Sequence, residues 1–249
     1  MKQIIDYRPS SIDDLLFIET SSEHENFPTD NLRYINPSRV WKSNDLTETT
    51  VKYGFGSVGS HGNFLFLNRV NFSSCILEKS DDDITWVEIE DVDDIELDEI
   101  YDETYAHRGF EIEGEYRYLR LTIPAQTPLF NVDYYQIGNM LVGDAIEIWN
   151  PKPGYSINQM PKRVLTEYDS GFISDEKVGK TRRQFSGQID KIDITEFKKI
   201  ALTYKPFVLY HEFDNNPQSV YLVRSVQNYS HEYFQHSTIS LAFNLQEMV

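Results

Sequence analysis

Runs of aromatic and β-branched residues, cut at short intervals by Gly, Pro, Asn and Ser, constrain this chain more than any other feature. Val51-Lys52-Tyr53-Gly54-Phe55, Asn63 to Leu67, Tyr116 to Ile123, Ser219 to Val226 and Thr238 to Leu245 all have this character. Such side chains suit the pleated, half-buried surface of a sheet, and the punctuating residues suit turns. An all-β fold is expected. One segment departs from it: Ile194, Phe197, Ala201 and Tyr204 fall on one face at helical spacing. Asp193 with Glu196 supplies a capping-box-like start, and Pro206 forbids continuation. A single helix from Ile194 to Tyr204 is therefore expected in a β context.

A chain of 249 residues has room for one large domain or two medium ones. Charge divides it. Residues 1–140 hold 27 acids and 11 bases, a balance of −16, whereas residues 141–249 hold 13 acids and 12 bases, a balance of −1. The expected domains are accordingly 1–140 and 141–249. Between Asp81 and Glu103 stand 13 carboxylates and no Lys or Arg. That surface repels a phosphate backbone, which argues against nucleic acid as a partner of the first half. Hydrophobic content of 40%, with 14% aromatic, suits a packed core, and no apolar run approaches the ~20 residues of a membrane-crossing helix. A soluble protein without membrane insertion is expected, and Met1 to Asp6 opens no secretory signal. Cys75 is the only cysteine, so no intrachain disulfide can form.

A series of short motifs makes the reading more specific. Leu16-Phe17-Ile18-Glu19-Thr20-Ser21-Ser22 is followed by Phe27-Pro28, Asn31-Leu32 and Val40-Trp41-Lys42-Ser43. Ser80-Asp81-Asp82-Asp83-Ile84-Thr85-Trp86 and Arg117-Tyr118-Leu119-Arg120-Leu121 come next. In this order they resemble the discoidin or galactose-binding-like β-sandwich modules carried by phage tail proteins. Farther on stand Tyr135-Gln136-Ile137-Gly138, Leu141-Val142-Gly143-Asp144, basic Lys180 to Arg183, the strand Phe185 to Ile189, the helix, and Pro206-Phe207-Val208-Leu209-Tyr210. That order is similar to the hub domain of distal tail proteins of long-tailed bacteriophages.

The resemblance implies a discoidin-like jelly roll over 1–140 and a mainly β, ring-forming hub domain with one helix over 141–249. In function it implies a structural, non-enzymatic virion protein of the tail tip, made in the bacterial cytoplasm. Its partners would be further copies of itself in a homo-oligomeric ring, a hexamer by matching the tail tube. The tube protein would lie above this ring and a hub or fibre protein below. Distal tail proteins often place the ring domain first, and here the order is reversed.

Residues able to carry chemistry have plainer readings. Gly54-Phe55-Gly56-Ser57-Val58-Gly59 spells G-x-G-x-x-G, but a dinucleotide loop must open a helix, and Ser60-His61-Gly62-Asn63 leads into another strand. A turn is expected there. With six scattered His and no cysteine pair, neither a metal centre nor a cofactor is expected. The acidic run has no glycine between Gly62 and Gly109 to bend a calcium loop. No G-x-S-x-G elbow occurs, so no catalytic nucleophile can be named. A second functional reading is a carbohydrate-binding module that attaches the virion to a host-surface glycan. Loops at one end of the sandwich would serve, with Asn44, Asp45, His61 and Asn63 as the candidate contacts. Trp41, Trp86 and Trp149 could stack on sugars, but Trp41 and Trp86 are expected as core aromatics of the sandwich.

Overall fold

The computed structural model describes residues 3–4, 15–36, 39–59, 61–97, 105–146, 156–160, 163–167, 173–177, 182–190, 206–210, 220–225, 230–234 and 238–248. Two compact units emerge, one from Met1–Asp98, Glu103–Ile148 and Pro206–Leu222, the other from Glu99–Asp102, Trp149–Lys205 and Val223–Val249. The main division thus falls near Ile148, and a later segment returns to the first unit. The expected helix over Ile194 to Tyr204 and Trp149 lie outside the described residues.

The strands up to the end of the first unit's continuous part are β1 (Gln3–Ile4), β2 (Leu15–Thr20), β3 (Trp41–Lys42), β4 (Thr49–Gly59), β5 (Phe64–Val70), β6 (Cys75–Ser80), β7 (Val87–Val92), β8 (Ala106–Glu111), β9 (Tyr116–Ile123), β10 (Gln136–Ile137), β11 (Asn139–Gly143) and β12 (Ala145–Ile146). One five-residue 3-10 turn spans Thr29–Arg33. A five-stranded antiparallel sheet has the order β2-β4-β9-β6-β7, a three-stranded sheet the order β11-β5-β8, and β3 pairs with β10.

Two-residue periodicity explains how these sheets share a core. In β9, Leu119, Leu121 and Ile123 are buried, while Tyr118, Arg120 and Thr122 alternate onto the other face. The inward set joins Val51, Tyr53 and Phe55 of β4 and Leu77 of β6. Leu65, Leu67, Phe110 and Val142 from the three-stranded sheet complete the same cluster, together with Trp41. Each such side chain contributes about 1.5–3 kcal/mol on burial. The result is a β-sandwich, and apart from the 3-10 turn every regular element among the described residues is a strand. Polar clasps tie the layers: the Tyr53 hydroxyl donates to the Met140 carbonyl, and the Tyr116 hydroxyl to that of Gly62, each at 2.9 Å. Cys75 sits in the core, where burial pushes its thiol far up and keeps it protonated.

The outer face of the five-stranded sheet is held by charge. Arg120 lies opposite Glu78 in the β6–β9 register and binds both its carboxylate oxygens, at 2.7 and 2.9 Å. The Trp86 indole roofs this pair, with the guanidinium carbon 4.1 Å from the ring centroid. Trp86 is therefore half-buried and outside the core, contrary to the expectation for it, because the turn before β7 carries it over Arg120. Trp41 is fully buried. Strand β7 is an open edge of this sheet, paired with β6 alone among the described residues.

The rest of the chain supplies β13 (Ser156–Met160), β14 (Arg163–Glu167), β15 (Ile173–Lys177), β16 (Arg182–Asp190), β17 (Phe207–Tyr210), β18 (Val220–Ser225), β19 (Ser230–Phe234) and β20 (Thr238–Glu247). Within the second unit, β16 lies between β13 and β20, and β14 pairs with β15. β19 and residues Val223–Ser225 of β18 pair with successive parts of β20. Arg183 and Glu247 form an ion pair at 3.4 Å with side chains only 5% and 3% exposed.

Candidate functional site

The four residues expected to bind sugar do not converge. Asn44 and Asp45 precede the start of β4, whereas His61 and Asn63 follow its end. Strand β4 separates them: Thr49 lies opposite Ile123 and Gly59 opposite Tyr116, seven steps along β9, or roughly 23 Å at ~3.3 Å per residue. The two pairs occupy opposite ends of the sandwich, which corrects their assignment to one end.

At the His61 end the side chains are committed to the fold. The imidazole stacks on Phe55 with centroids 4.3 Å apart, and its Nε2 lies 2.7 Å from the Ser57 carbonyl. Asn63 Oδ1 accepts the Ala145 N–H at 2.6 Å. Between them Gly62 has φ +134°, and a Cβ there would come within 2.6 Å of the Gly143 carbonyl oxygen. The G-x-G-x-x-G run opens no helix and is not the expected turn between strands: it lies in β4, where the pairing with β9 shifts register between Gly54 and Gly59. Gly54 is needed for packing: a Cβ on it would sit 2.3 Å from the Phe17 ring.

The Asn44 end is built differently. Residues 42–44 lie between the His24–Phe27 turn on one flank and extended 134–137 on the other. The His24 N–H donates to the Lys42 carbonyl at 2.9 Å, and the Lys42 N–H to that of Phe27 at 3.2 Å. The Asn44 N–H donates to Ser22 Oγ at 2.8 Å. On the other flank the Ser43 N–H donates to the Tyr135 carbonyl at 2.9 Å, and Ser43 Oγ accepts the Tyr135 N–H at 2.7 Å. Ser43 and Tyr135 are fully buried. Alternation then turns Lys42, Asn44 and Tyr134 outward together.

The Lys42 ammonium lies 4.1 Å from the Phe27 ring centroid and 3.9 Å from that of Tyr134. His24 packs against Phe27 with centroids 5.4 Å apart. Asn44 is exposed. Asp45 Oδ1 accepts the Thr47 hydroxyl at 2.6 Å and its N–H at 3.0 Å, which holds the carboxyl below the usual range. This surface offers aromatic faces, an amide and a cation for noncovalent recognition. Phe27, Lys42 and Tyr134 were not legible as a site, because Tyr134 reaches the other two only through the nonlocal β3–β10 pairing. Among the described residues no group of three or more His, Cys, Asp or Glu could hold a metal.

No protein-family model and no curated protein matches the chain. It is similar to solved carbohydrate-binding modules. The family 32 module of Clostridium perfringens NanJ, in complex with galactose, is 9% identical over 57% of this chain and 97% of that chain, with TM-score 0.42. The CBM32-5 module of a GH89 protein from the same organism, in complex with GalNAc-β-1,3-galactose, is 10% identical over 53% of this chain and 97% of that one, also with TM-score 0.42. A chitosan-binding module in complex with chitotriose, derived from a chitosanase/glucanase of Paenibacillus sp. IK-5, is 16% identical over 51% and 95%, with TM-score 0.42. All three are carbohydrate-binding modules, and none is a phage tail protein.

Proposed function

We propose that the first unit is a non-catalytic carbohydrate-binding module and that the sugar lies on the face formed by Phe27, Lys42, Asn44 and Tyr134. One observation carries this reading: the His24–Phe27 turn and two adjacent extended segments bring two aromatic rings, an ammonium and an exposed amide together, above buried Ser43 and Tyr135. A sugar ring presents apolar C–H faces and a rim of hydroxyls. Aromatic faces cover the first, and amide and ammonium groups bond the second. The backbone beneath is fixed by hydrogen bonds on both flanks, so little freedom is lost on binding. In the setting that the motif order resembles, the module would attach a phage tail to a host-surface glycan. Assembly of the chain into a tail-tip ring is a separate proposal, drawn from the same resemblance and read out by native mass spectrometry.

The experiment is a glycan array probed with the full chain and with Tyr134→Ala, Phe27→Ala and His61→Ala. Stacked aromatics are worth ~0.5–1.5 kcal/mol beyond their buried area, so the first two variants should weaken binding by roughly two- to twelvefold or more. His61→Ala, at the far end, should bind like the parent. Absence of binding to every glycan, or loss with His61→Ala alone, would overturn the proposal.

A further inference from the structure

We infer that the sugar taken by this surface carries an anionic group, a carboxylate or a sulfate ester, and that Lys42 receives it. The inference rests on the reading of that surface as a glycan site. Lys42 differs from the other lysines whose side chains are described in this unit. Lys52 binds Asp83 at 2.8 Å and Glu19 at 3.2 Å, and Lys79 donates to the Glu113 carbonyl. Lys42 touches only two ring faces, and no described carboxylate or carbonyl accepts from its ammonium. That is unusual placement in a chain with 40 acids against 23 bases.

Ring faces attract an ammonium through their quadrupoles and fix its position without cancelling its charge. Two carboxylates at this end of the unit accept from neutral donors and not from Lys42. Glu23 accepts the N–H and hydroxyl of Thr29, and Asp45 accepts both donors of Thr47. A preplaced cation with no direct carboxylate partner among the described residues therefore stands against the two rings. A neutral hydroxyl would accept an ion–dipole hydrogen bond from it, whereas an anion adds to that bond the Coulomb attraction of opposite charges. The unit's overall negative charge does not cancel this gain. At physiological ionic strength fields are screened beyond about 8 Å, but a contact pair is not.

The test is an array of matched pairs: sialylated and desialylated, uronate and carboxyl-reduced, sulfated and desulfated glycans. The full chain is compared with Lys42→Arg, Lys42→Gln and Lys42→Met, with melting temperatures as a check on folding. The acidic member of a bound pair should be preferred about tenfold, and the uronate and sulfate arms then identify the anion. Lys42→Gln and Lys42→Met should bring the ratio near one, while Lys42→Arg keeps it. Equal binding of acidic and neutral members, or a preference that survives Lys42→Gln, would overturn the inference and leave the glycan reading standing. Absence of binding to any member would overturn both.

Discussion

Truncating Trp41 to alanine should cost the first unit roughly 3–5 kcal/mol, the range for deleting a large buried aromatic. The side chain is 0% exposed and belongs to the core cluster shared by both sheets. It enters that core from the two-residue strand β3, opposite Ile137 in β10, so no long ladder can hold the segment once the indole is gone. Its Nε1–H is buried without a hydrogen-bond partner among the described residues. An unpaired buried donor costs about 1–3 kcal/mol, a penalty already carried by the native fold. Trp41→Phe removes that donor along with part of the ring volume, and should cost less than about 2 kcal/mol because the two changes oppose each other. At about 2–4 °C per kcal/mol for a unit of this size, alanine should lower Tm by roughly 6–20 °C. Urea unfolding by circular dichroism and calorimetry of the full chain measure both variants. If Trp41→Ala moves no transition by ~1 kcal/mol, the indole does not support the core. If Trp41→Phe costs as much as alanine, the indole N–H is satisfied after all.

Two further outcomes follow from local geometry. Gly54→Ala places a Cβ 2.3 Å from the Phe17 ring; it should destabilise by about 1–3 kcal/mol, as overpacking does, and Phe17→Leu should recover part of the loss. A neutral Gly54→Ala in calorimetry would mean that the ring yields freely. Asp82 accepts the N–H groups of Thr85 at 2.7 Å and Ile84 at 2.9 Å, which hold its carboxyl down to about 2, below its ordinary 3.8. A depressed folded pKa means that its support of the turn is present above the unfolded value and lost as pH falls through the folded one. The Ile84 and Thr85 amide proton shifts should therefore titrate with a midpoint near 2, and a midpoint near 4 would refute the assignment.

The sandwich was legible because its signal is local. Leu119, Leu121 and Ile123 repeat at the period of a strand, and the side chains between them face away. The site was not, because it depends on what the strands do between the motifs. Asn44 and His61 look like neighbouring loops until β4 proves unbroken from Thr49 to Gly59. Its glycines suggested a turn, yet Gly54 serves the close approach of Phe17 within a strand. Trp86 carries no sequence mark that distinguishes a core indole from one laid over Arg120, since that contact spans the β6–β7 turn and β9. The Lys42 cradle likewise requires Tyr134, delivered by chain that leaves the sandwich core and comes back.

The open edge at β7 bears on how the molecule behaves when crowded. An unpaired edge strand invites a second copy to extend the sheet, and exposed Val87 in the strand and Ile84 in the turn before it, 54% and 82% accessible, would add to the attraction. Val87 to Val92 also carries Glu88 and Asp91, beside Glu90, which Arg108 holds at 2.6 Å. Two copies meeting edge to edge would bring these carboxylates into facing rows, and like charges directly opposite across strands destabilise the pairing. The acid excess of this segment thus acts as a guard against sheet-to-sheet aggregation, one that weakens as acid neutralises the row.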